Sequence, residues 1–198
     1  MRGALAVAAI AIVAGCRGEA RPAEAAPRVA SAPPAAIGEP IYDLAIPLRD
    51  QDGAAVGLDV FRGAPVVIAM FYASCPAACP RLLDDIVAIE RDLAPAARAR
   101  LRVLLVSFDP ARDTADALRA LATARGVDRT RWKLTSAAEG DARILAAVLG
   151  VKFRRLDSGE FFHTSPITVL DGDGRPVARV EGLGQGPGPL VAALDAMP

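Results

Sequence analysis

The feature that most constrains this chain is a pair of cysteines between a predicted strand and a predicted helix. The segment reads Phe71-Tyr-Ala-Ser-Cys75-Pro-Ala-Ala-Cys79-Pro80. Before it, residues 65–70 are apolar, rich in β-branched side chains and preceded by Gly63, which predicts a buried strand. After it, residues 81–93 carry leucine and isoleucine at helical spacing, which predicts an amphipathic helix. The pair therefore lies where a strand leads into a helix.

This location also affects the expected acidity of the two thiols. Unpaired backbone N–H groups and the helix dipole stabilise anions at a helix N-terminus, so the pKa of a thiol there is expected to fall. The thiolate is the form that attacks electrophiles and binds metals. The position therefore predicts two sulfurs suited to nucleophilic or metal chemistry.

The first residues of the chain have the pattern of an export signal. Arg2 supplies positive charge, and residues 4–14 form an apolar stretch that is too short to span a bilayer. The stretch ends in Val13-Ala-Gly-Cys16, which resembles the lipobox of bacterial lipoproteins, where the cysteine is lipidated and becomes the first residue of the mature chain. An ordinary secretory signal or an uncleaved anchor is the alternative. We predict a signal peptide over residues 1–15, lipidation at Cys16 and a membrane-anchored protein that faces the periplasm or the outer surface.

The rest of the chain divides into a tether and one domain. Residues 16–37 are rich in alanine and proline with almost no large apolar side chains, which predicts a disordered tether. Residues 38–198 are long enough to bury one core. The chain carries 23 basic and 23 acidic residues. This balance gives no reason to expect nucleic-acid binding, which depends on a basic surface.

Predicted strands and helices alternate through the domain, and two hairpins and a helix close it. The order predicts an α/β fold in which a central mixed β-sheet is sandwiched by helices. Asp113 or Thr114 is expected to cap the second helix, and Gly126 to end it. The predicted strands cover 41–48, 65–70, 101–108, 132–135, 151–155, 160–163, 167–170 and 176–180, and the predicted helices cover 81–93, 114–125, 141–149 and 189–197.

The spacing of Cys75 and Cys79 is compatible with two chemistries. Residues four apart on a helix face have Cβ atoms about 5–6 Å apart, whereas a disulfide needs about 3.5–4.5 Å. Two sulfurs on one metal tolerate the wider separation, and Cys75 precedes the predicted helix, so the chain can still adjust. The pair is therefore suited to metal binding and can also form a disulfide. Two thiolates select soft ions, Cu(I) or a zinc ion with further ligands.

His163 is the one histidine of the chain. It ends a predicted hairpin just before the strand 167–170, where a turn can direct it toward the start of the cysteine helix. A single histidine is more often a structural residue. Because the chain offers no other imidazole to complete a site with Cys75 and Cys79, we interpret His163 as their partner ligand.

Three segments together resemble the Sco (SenC-type) copper-metallochaperone family. They are the cysteine segment, Ser107-Phe-Asp-Pro-Ala-Arg-Asp-Thr114, and His163-Thr164 before Ile167-Thr-Val-Leu-Asp171. The resemblance extends from about Gly38 to the C-terminus. It implies a thioredoxin-like sandwich with an inserted β-hairpin, and copper, as Cu(I) or Cu(II), held by Cys75, Cys79 and His163.

The same resemblance implies a role as a chaperone rather than an enzyme. The protein would serve assembly of the dinuclear copper site of cytochrome c oxidase, with subunit II or another copper enzyme as its acceptor. The main alternative is a thiol–disulfide oxidoreductase that keeps acceptor cysteines reduced, in which Cys75 attacks and Cys79 resolves. A peroxidase of the peroxiredoxin kind is a third interpretation, but that family places a threonine where this chain has Tyr72.

Asp109 and Arg112 admit two interpretations. Asp-Pro at a strand end and Asp-Thr before a helix are ordinary signals for ending one element and capping the next. Arg112 would then simply pair with Asp109 or Asp113. Alternatively, Asp109, Arg112 and Asp113 surround the ligands, where they tune the copper site or dock a partner. We favour the first interpretation and keep the second as a hypothesis.

Overall fold

The computed structural model describes residues 38–75 and 78–198. The predicted signal peptide, the lipidation at Cys16 and the tether over 16–37 lie outside the described residues. Within the described ranges, no helix combines the length and apolar character that a membrane span requires.

The described part of the chain contains nine strands and five α-helices, with a 3₁₀ helix over Leu58–Phe61. The strands are β1 (Leu48–Asp50), β2 (Ala55–Val56), β3 (Val66–Phe71), β4 (Arg102–Ser107), β5 (Trp132–Ala137), β6 (Phe153–Arg155), β7 (Phe161–His163), β8 (Ile167–Leu170) and β9 (Pro176–Val180). The helices are α1 (Ala78–Asp92), α2 (Pro95–Arg100), α3 (Ala115–Ala124), α4 (Glu139–Val148) and α5 (Gly188–Asp195).

Seven strands form one mixed sheet in the order β2-β1-β5-β4-β3-β8-β9. The pairs β3–β4 and β4–β5 are parallel, whereas β3–β8 and β8–β9 are antiparallel. The remaining strands, β6 and β7, pair only with each other, as a hairpin between α4 and β8. The predicted α/β class, the mixed central sheet and the inserted hairpin are confirmed.

Strand β3 lies inside the sheet, between β4 and β8, and the cysteine segment follows its C-terminal end. All six of its residues are buried, as expected for a central strand covered on both faces. Its last residue, Phe71, is in register with Ser107 at the end of the parallel strand β4. The segments that follow these two strands, which contain Cys75 and Asp109, therefore emerge side by side.

Helix α1 packs through the face that its sequence pattern predicts. Leu82, Ile86 and Ile89 are fully buried in the same apolar cluster as β3 and β4, whereas Val87 is exposed. Burial of each such side chain contributes about 1.5–3 kcal/mol. This packing fixes the helix on which Cys79 lies.

The predicted edge strand over 41–48 is wrong for most of its length. Residues 41–44 form a turn, in which the Leu44 N–H donates to Ile41 O over 3.1 Å and the Ile41 N–H donates to Gly174 O over 3.0 Å. Tyr42 packs against Gly174, where a β-carbon would lie only 2.6 Å from the tyrosine ring. The strand begins at Leu48, and β2 rather than β1 forms the edge of the sheet.

Two further elements differ from the prediction. Helix α2 has no counterpart among the predicted elements. Strand β5 continues two residues beyond the predicted 132–135, because Ser136 and Ala137 pair with Arg49 and Leu48 of β1. Such long-range pairing extends a strand past the point where its own sequence pattern ends.

Candidate metal centre

The two cysteines lie on either side of the start of α1. Cys75 ends the short segment after β3, where its N–H donates to Tyr72 O over 3.2 Å, and Cys79 lies in the first turn of the helix. Both side chains are buried, Cys75 with 8% and Cys79 with 2% of its surface exposed. No disulfide joins them. Cys75 precedes the helix as predicted, whereas the helix begins three residues before the predicted 81–93 and so includes Cys79.

His163 closes the hairpin and meets the cysteine pair. One donor atom from each of Cys75, Cys79 and His163 lies within 4.8 Å of the other two. The hairpin holds His163 through its register with Phe153 and through a bond from the Thr164 N–H to Lys152 O at 2.9 Å. The structure thus brings together the three residues that the sequence predicts as candidate ligands.

The contacts of the imidazole favour its neutral, metal-binding form. Its Nδ1 lies 3.1 Å from the carbonyl oxygen of Thr164 and 3.2 Å from the hydroxyl of Ser165. A proton on Nδ1 that is donated to this carbonyl leaves Nε2 with an available lone pair. Burial lowers the pKa of His163, against a raising contribution from the Thr164 carbonyl. The ring is therefore uncharged at neutral pH.

Aromatic side chains enclose the imidazole and account for its burial. The ring centroids of Phe108 and Tyr72 lie 5.2 and 5.7 Å from that of His163. Phe153 stacks on Phe108 at 4.7 Å, and Phe161 packs against Phe108 at 5.1 Å. These aromatic rings partly shield the histidine side of the site from water.

The predicted fall in thiol pKa is wrong for Cys79. Burial raises the pKa of the Cys79 thiol, and Cys75 and Asp113 raise it further, whereas the backbone of Tyr72 lowers it. The cost of burying an anion thus outweighs the favourable helix terminus. At neutral pH the metal-free chain keeps this sulfur protonated, so a metal must displace the proton to bind.

Asp109 and Arg112 form an ion pair that joins the segment after β4 to the hairpin. Asp109 is buried and pairs with the Arg112 Nε. Arg112 also donates to Gly159 O over 3.1 Å, and its guanidinium lies over the ring of Tyr72 at 5.8 Å. The pairing that the first interpretation expected is therefore present, and it extends to the hairpin.

Asp113, which the sequence offered as a helix cap or as a group around the ligands, supports the cysteine segment and does not cap α3. Thr114, not Asp113, caps α3, through its hydroxyl at 3.3 Å from the Ala117 N–H. The buried Asp113 carboxylate instead accepts bonds from the Ala73 N–H at 2.8 Å and from the Ser107 hydroxyl. It thereby anchors the segment that leads to Cys75. The sequence carried a signal of this other role, because only one of the two adjacent candidates, Asp113 and Thr114, can cap the helix.

Tyr72 and Glu160 were not predicted as site residues. The Tyr72 hydroxyl donates to Glu160 Oε2 over 2.8 Å and is in hydrogen-bond contact with the Cys75 sulfur. Burial, and then these two contacts, raise the pKa of Tyr72. Nothing in the pattern around Glu160 indicates this contact, because it depends on how the hairpin folds back.

Comparison with known proteins gives one family and many related structures. The family model for SCO1/SenC matches residues 39–197. ScoI of Bradyrhizobium japonicum, solved with copper bound, is 25% identical, with coverage of 80% of this chain and 98% of that chain and a TM-score of 0.64. No curated protein matches the chain.

Two further structures share the fold at lower identity. A SCO1/SenC family lipoprotein from Bacillus anthracis str. Ames is 18% identical, with coverage of 79% of this chain and 95% of that chain and a TM-score of 0.71. BsSco, described with a disulfide switch and as a member of the Sco family of cytochrome c oxidase assembly proteins, is 17% identical. Its alignment covers 84% of this chain and 96% of that chain, with a TM-score of 0.69.

Proposed function

We propose a function from the premise that this chain belongs to the SCO1/SenC family and has its thioredoxin-like fold. The protein binds copper through Cys75, Cys79 and His163 and delivers it to an acceptor protein. In this role copper is the cargo of the protein, and the chain acts as a metallochaperone rather than as an enzyme.

The observation that carries the proposal is the convergence of two sulfurs and one imidazole within 4.8 Å. Two thiolates and a neutral nitrogen make a soft donor set, which favours Cu(I). Structural zinc sites have four protein ligands, whereas the described residues bring three such donors together here. The copper bound in ScoI of Bradyrhizobium japonicum supports the same choice of metal.

The surroundings of Cys75, Cys79 and His163 suit the binding of copper and its later release to an acceptor. His163 is already neutral, so it can bind copper without losing a proton. Cys79 is the more deeply buried sulfur, whereas Cys75 lies before the helix and is the more exposed of the two. A ligand from the acceptor would therefore enter at Cys75 and displace the sulfurs in turn.

The relatives and the N-terminal pattern support a choice of acceptor and of location. BsSco is described among cytochrome c oxidase assembly proteins, which supports the dinuclear copper site of subunit II as the destination, with another copper enzyme as the alternative. The Bacillus anthracis relative is described as a lipoprotein. This supports export of the present chain and a lipid on Cys16, a location outside the cytoplasm from which such a site can be reached.

A thiol–disulfide oxidoreductase remains the second candidate, because one observation favours it. The sulfurs of Cys75 and Cys79 lie within 4.8 Å of each other, so movement of the segment before α1 would allow a disulfide. The disulfide switch described for BsSco supports the same chemistry. In this role Cys75 attacks an acceptor disulfide and Cys79 resolves the mixed disulfide, which leaves the acceptor reduced and this pair oxidised.

Anaerobic titration of the purified chain with Cu(I) and Cu(II) tests the proposal. Wild type should bind about one copper, and Cys75→Ser, Cys79→Ser and His163→Ala should each lose more than about 100-fold in affinity, because even residues that only support metal ligands contribute 10–100-fold. Loss of copper from His163→Ala with retained disulfide exchange would mark copper binding as a separate function. Equal affinity of His163→Ala and wild type would overturn the copper site.

A further inference from the structure

The hairpin that carries His163 has little support from the main sheet. Strands β6 and β7 contain three residues each and, in the described structure, pair only with each other. A two-stranded hairpin on its own is marginally stable in water. The position of His163 relative to the cysteines must therefore be set by side-chain contacts between the hairpin and the rest of the domain.

Glu160 provides two of the polar contacts, beside the bond from Arg112 to Gly159 O. It precedes β7, and its Oε2 accepts the bond from the Tyr72 hydroxyl at 2.8 Å. Its Oε1 lies 3.7 Å from Nη1 of Arg112, whose Nη2 in turn donates to the neighbouring Gly159 O. Arg112 is itself fixed by the buried Asp109. One carboxylate on the hairpin is therefore tied to the two segments that follow β3 and β4.

Tyr72 connects this carboxylate to the candidate ligands. Its ring packs edge-on against the imidazole of His163, with centroids 5.7 Å apart and an interplanar angle of 80°. Its hydroxyl is in hydrogen-bond contact with the Cys75 sulfur. A displacement of Tyr72 would thus change the surroundings of two of the three donor residues, His163 and Cys75.

We propose that Glu160 is a positioning residue that holds the His163 hairpin against Tyr72 and Arg112, and so sets the distance between the imidazole and the two sulfurs. The inference rests on the proposed function of Cys75, Cys79 and His163 as ligands and assigns a control of that same site. Glu160 does not bind the metal in this role. It restrains the part of the chain that delivers the third ligand.

Hydrogen–deuterium exchange of the full, metal-free chain tests the restraint directly. Glu160→Ala should increase exchange of the amides that join β6 and β7 roughly three- to tenfold, the range for a partly exposed charged hydrogen bond. Exchange in β3 and β4 should stay at the wild-type rate, which separates local release of the hairpin from a loss of overall stability. Unchanged exchange in the hairpin would overturn the proposal.

Copper titration of the same variants tests the consequence for the site. Glu160→Ala should bind Cu(I) about tenfold more weakly and shift the Cu(II) absorption bands, because support of a ligand is typically worth 10–100-fold. Glu160→Gln keeps an acceptor for the Tyr72 hydroxyl and should recover part of the affinity. Wild-type affinity and spectrum in Glu160→Ala would overturn the proposal.

Asp157→Ala is the matched control, since Asp157 is an exposed carboxylate on the turn of the same hairpin. It should leave both exchange and affinity unchanged, and an effect as large as that of Glu160→Ala would overturn the specific role of Glu160. Exchange is measured without metal. A wild-type chain that retains no copper would therefore overturn the proposed function, while the exchange data would still decide whether Glu160 holds the hairpin.

Discussion

The carboxylate of Asp113 accepts a hydrogen bond from the backbone N–H of Ala73 at 2.8 Å, across 40 residues of sequence. The same oxygen is bonded by the hydroxyl of Ser107, the last residue of β4. Through this one buried oxygen, the segment after β4 is joined to the segment that leads from β3 to Cys75. The path of the cysteine segment therefore depends on Asp113.

Replacement of Asp113 by alanine should destabilise the fold. The change leaves the partly buried Ala73 N–H and the buried Ser107 hydroxyl without their acceptor, which should lower the free energy of unfolding by about 1–3 kcal/mol. Urea denaturation followed by the fluorescence of Trp132, the one tryptophan of the chain, measures this. Asp116→Ala, on an exposed carboxylate of α3, is the control and should change stability by less than about 0.5 kcal/mol. Equal losses in the two variants would contradict the prediction.

The stability that Asp113 contributes should depend on pH. Burial raises the pKa of Asp113, although bonds from Ser107 and Ala73 lower it. A folded-state pKa above the unfolded value gives stability that is fully present below the unfolded pKa of about 3.9 and is lost as pH rises through the folded pKa. Asp113→Asn cannot ionise, so its stability relative to wild type should improve between pH 4 and pH 7. Denaturation curves at both pH values measure this, and a constant difference would refute it.

The imidazole of His163 should titrate below its ordinary pKa of about 6.5, because burial lowers the pKa. The stability gained by burying the neutral ring is complete above the unfolded pKa and is lost as pH falls through the folded one. The single histidine gives one resolved ring signal in an NMR titration of the metal-free chain. The same titration in urea provides the unperturbed reference. A folded midpoint at or above that reference would show that the ring is not desolvated.

Copper binding at pH 7 should release at least about one proton per chain, since burial raises the pKa of Cys79 and keeps its thiol protonated. The neutral His163 should release none. Calorimetry of Cu(I) binding in buffers of different ionisation enthalpy counts the protons. Cys79→Ser, measured at saturating copper, should release about one fewer. Binding without proton release in wild type would show that Cys79 is already a thiolate.

The sequence predicted the ligand candidates because their signals are local. The cysteines follow an unmistakable buried strand and precede an amphipathic helix, and His163 ends a hairpin with a clear turn. The small number of possible ligands also helped, because the chain has one histidine and so one candidate imidazole. The hairpin could be predicted for the same reason, since Asp157-Ser-Gly159 marks its turn.

The residues that support the site could not be predicted in this way. Asp113 had an adequate local explanation as a helix cap, and Glu160 had no distinctive pattern at all. Their contacts with Ala73 and Tyr72 cross long stretches of sequence. The prediction of a lowered thiol pKa was wrong for a related reason. Burial of Cys79 depends on the packed core rather than on its place at a helix start.

The separation of the hairpin from the seven-stranded sheet makes the third donor a detachable module. The two thiols arrive on the scaffold itself, whereas the imidazole arrives on an appendage between α4 and β8. The hairpin sequence can therefore change without altering the strand pairing that holds the two thiols. A designer can likewise exchange the hairpin for one bearing a different donor and retune metal preference without rebuilding the core.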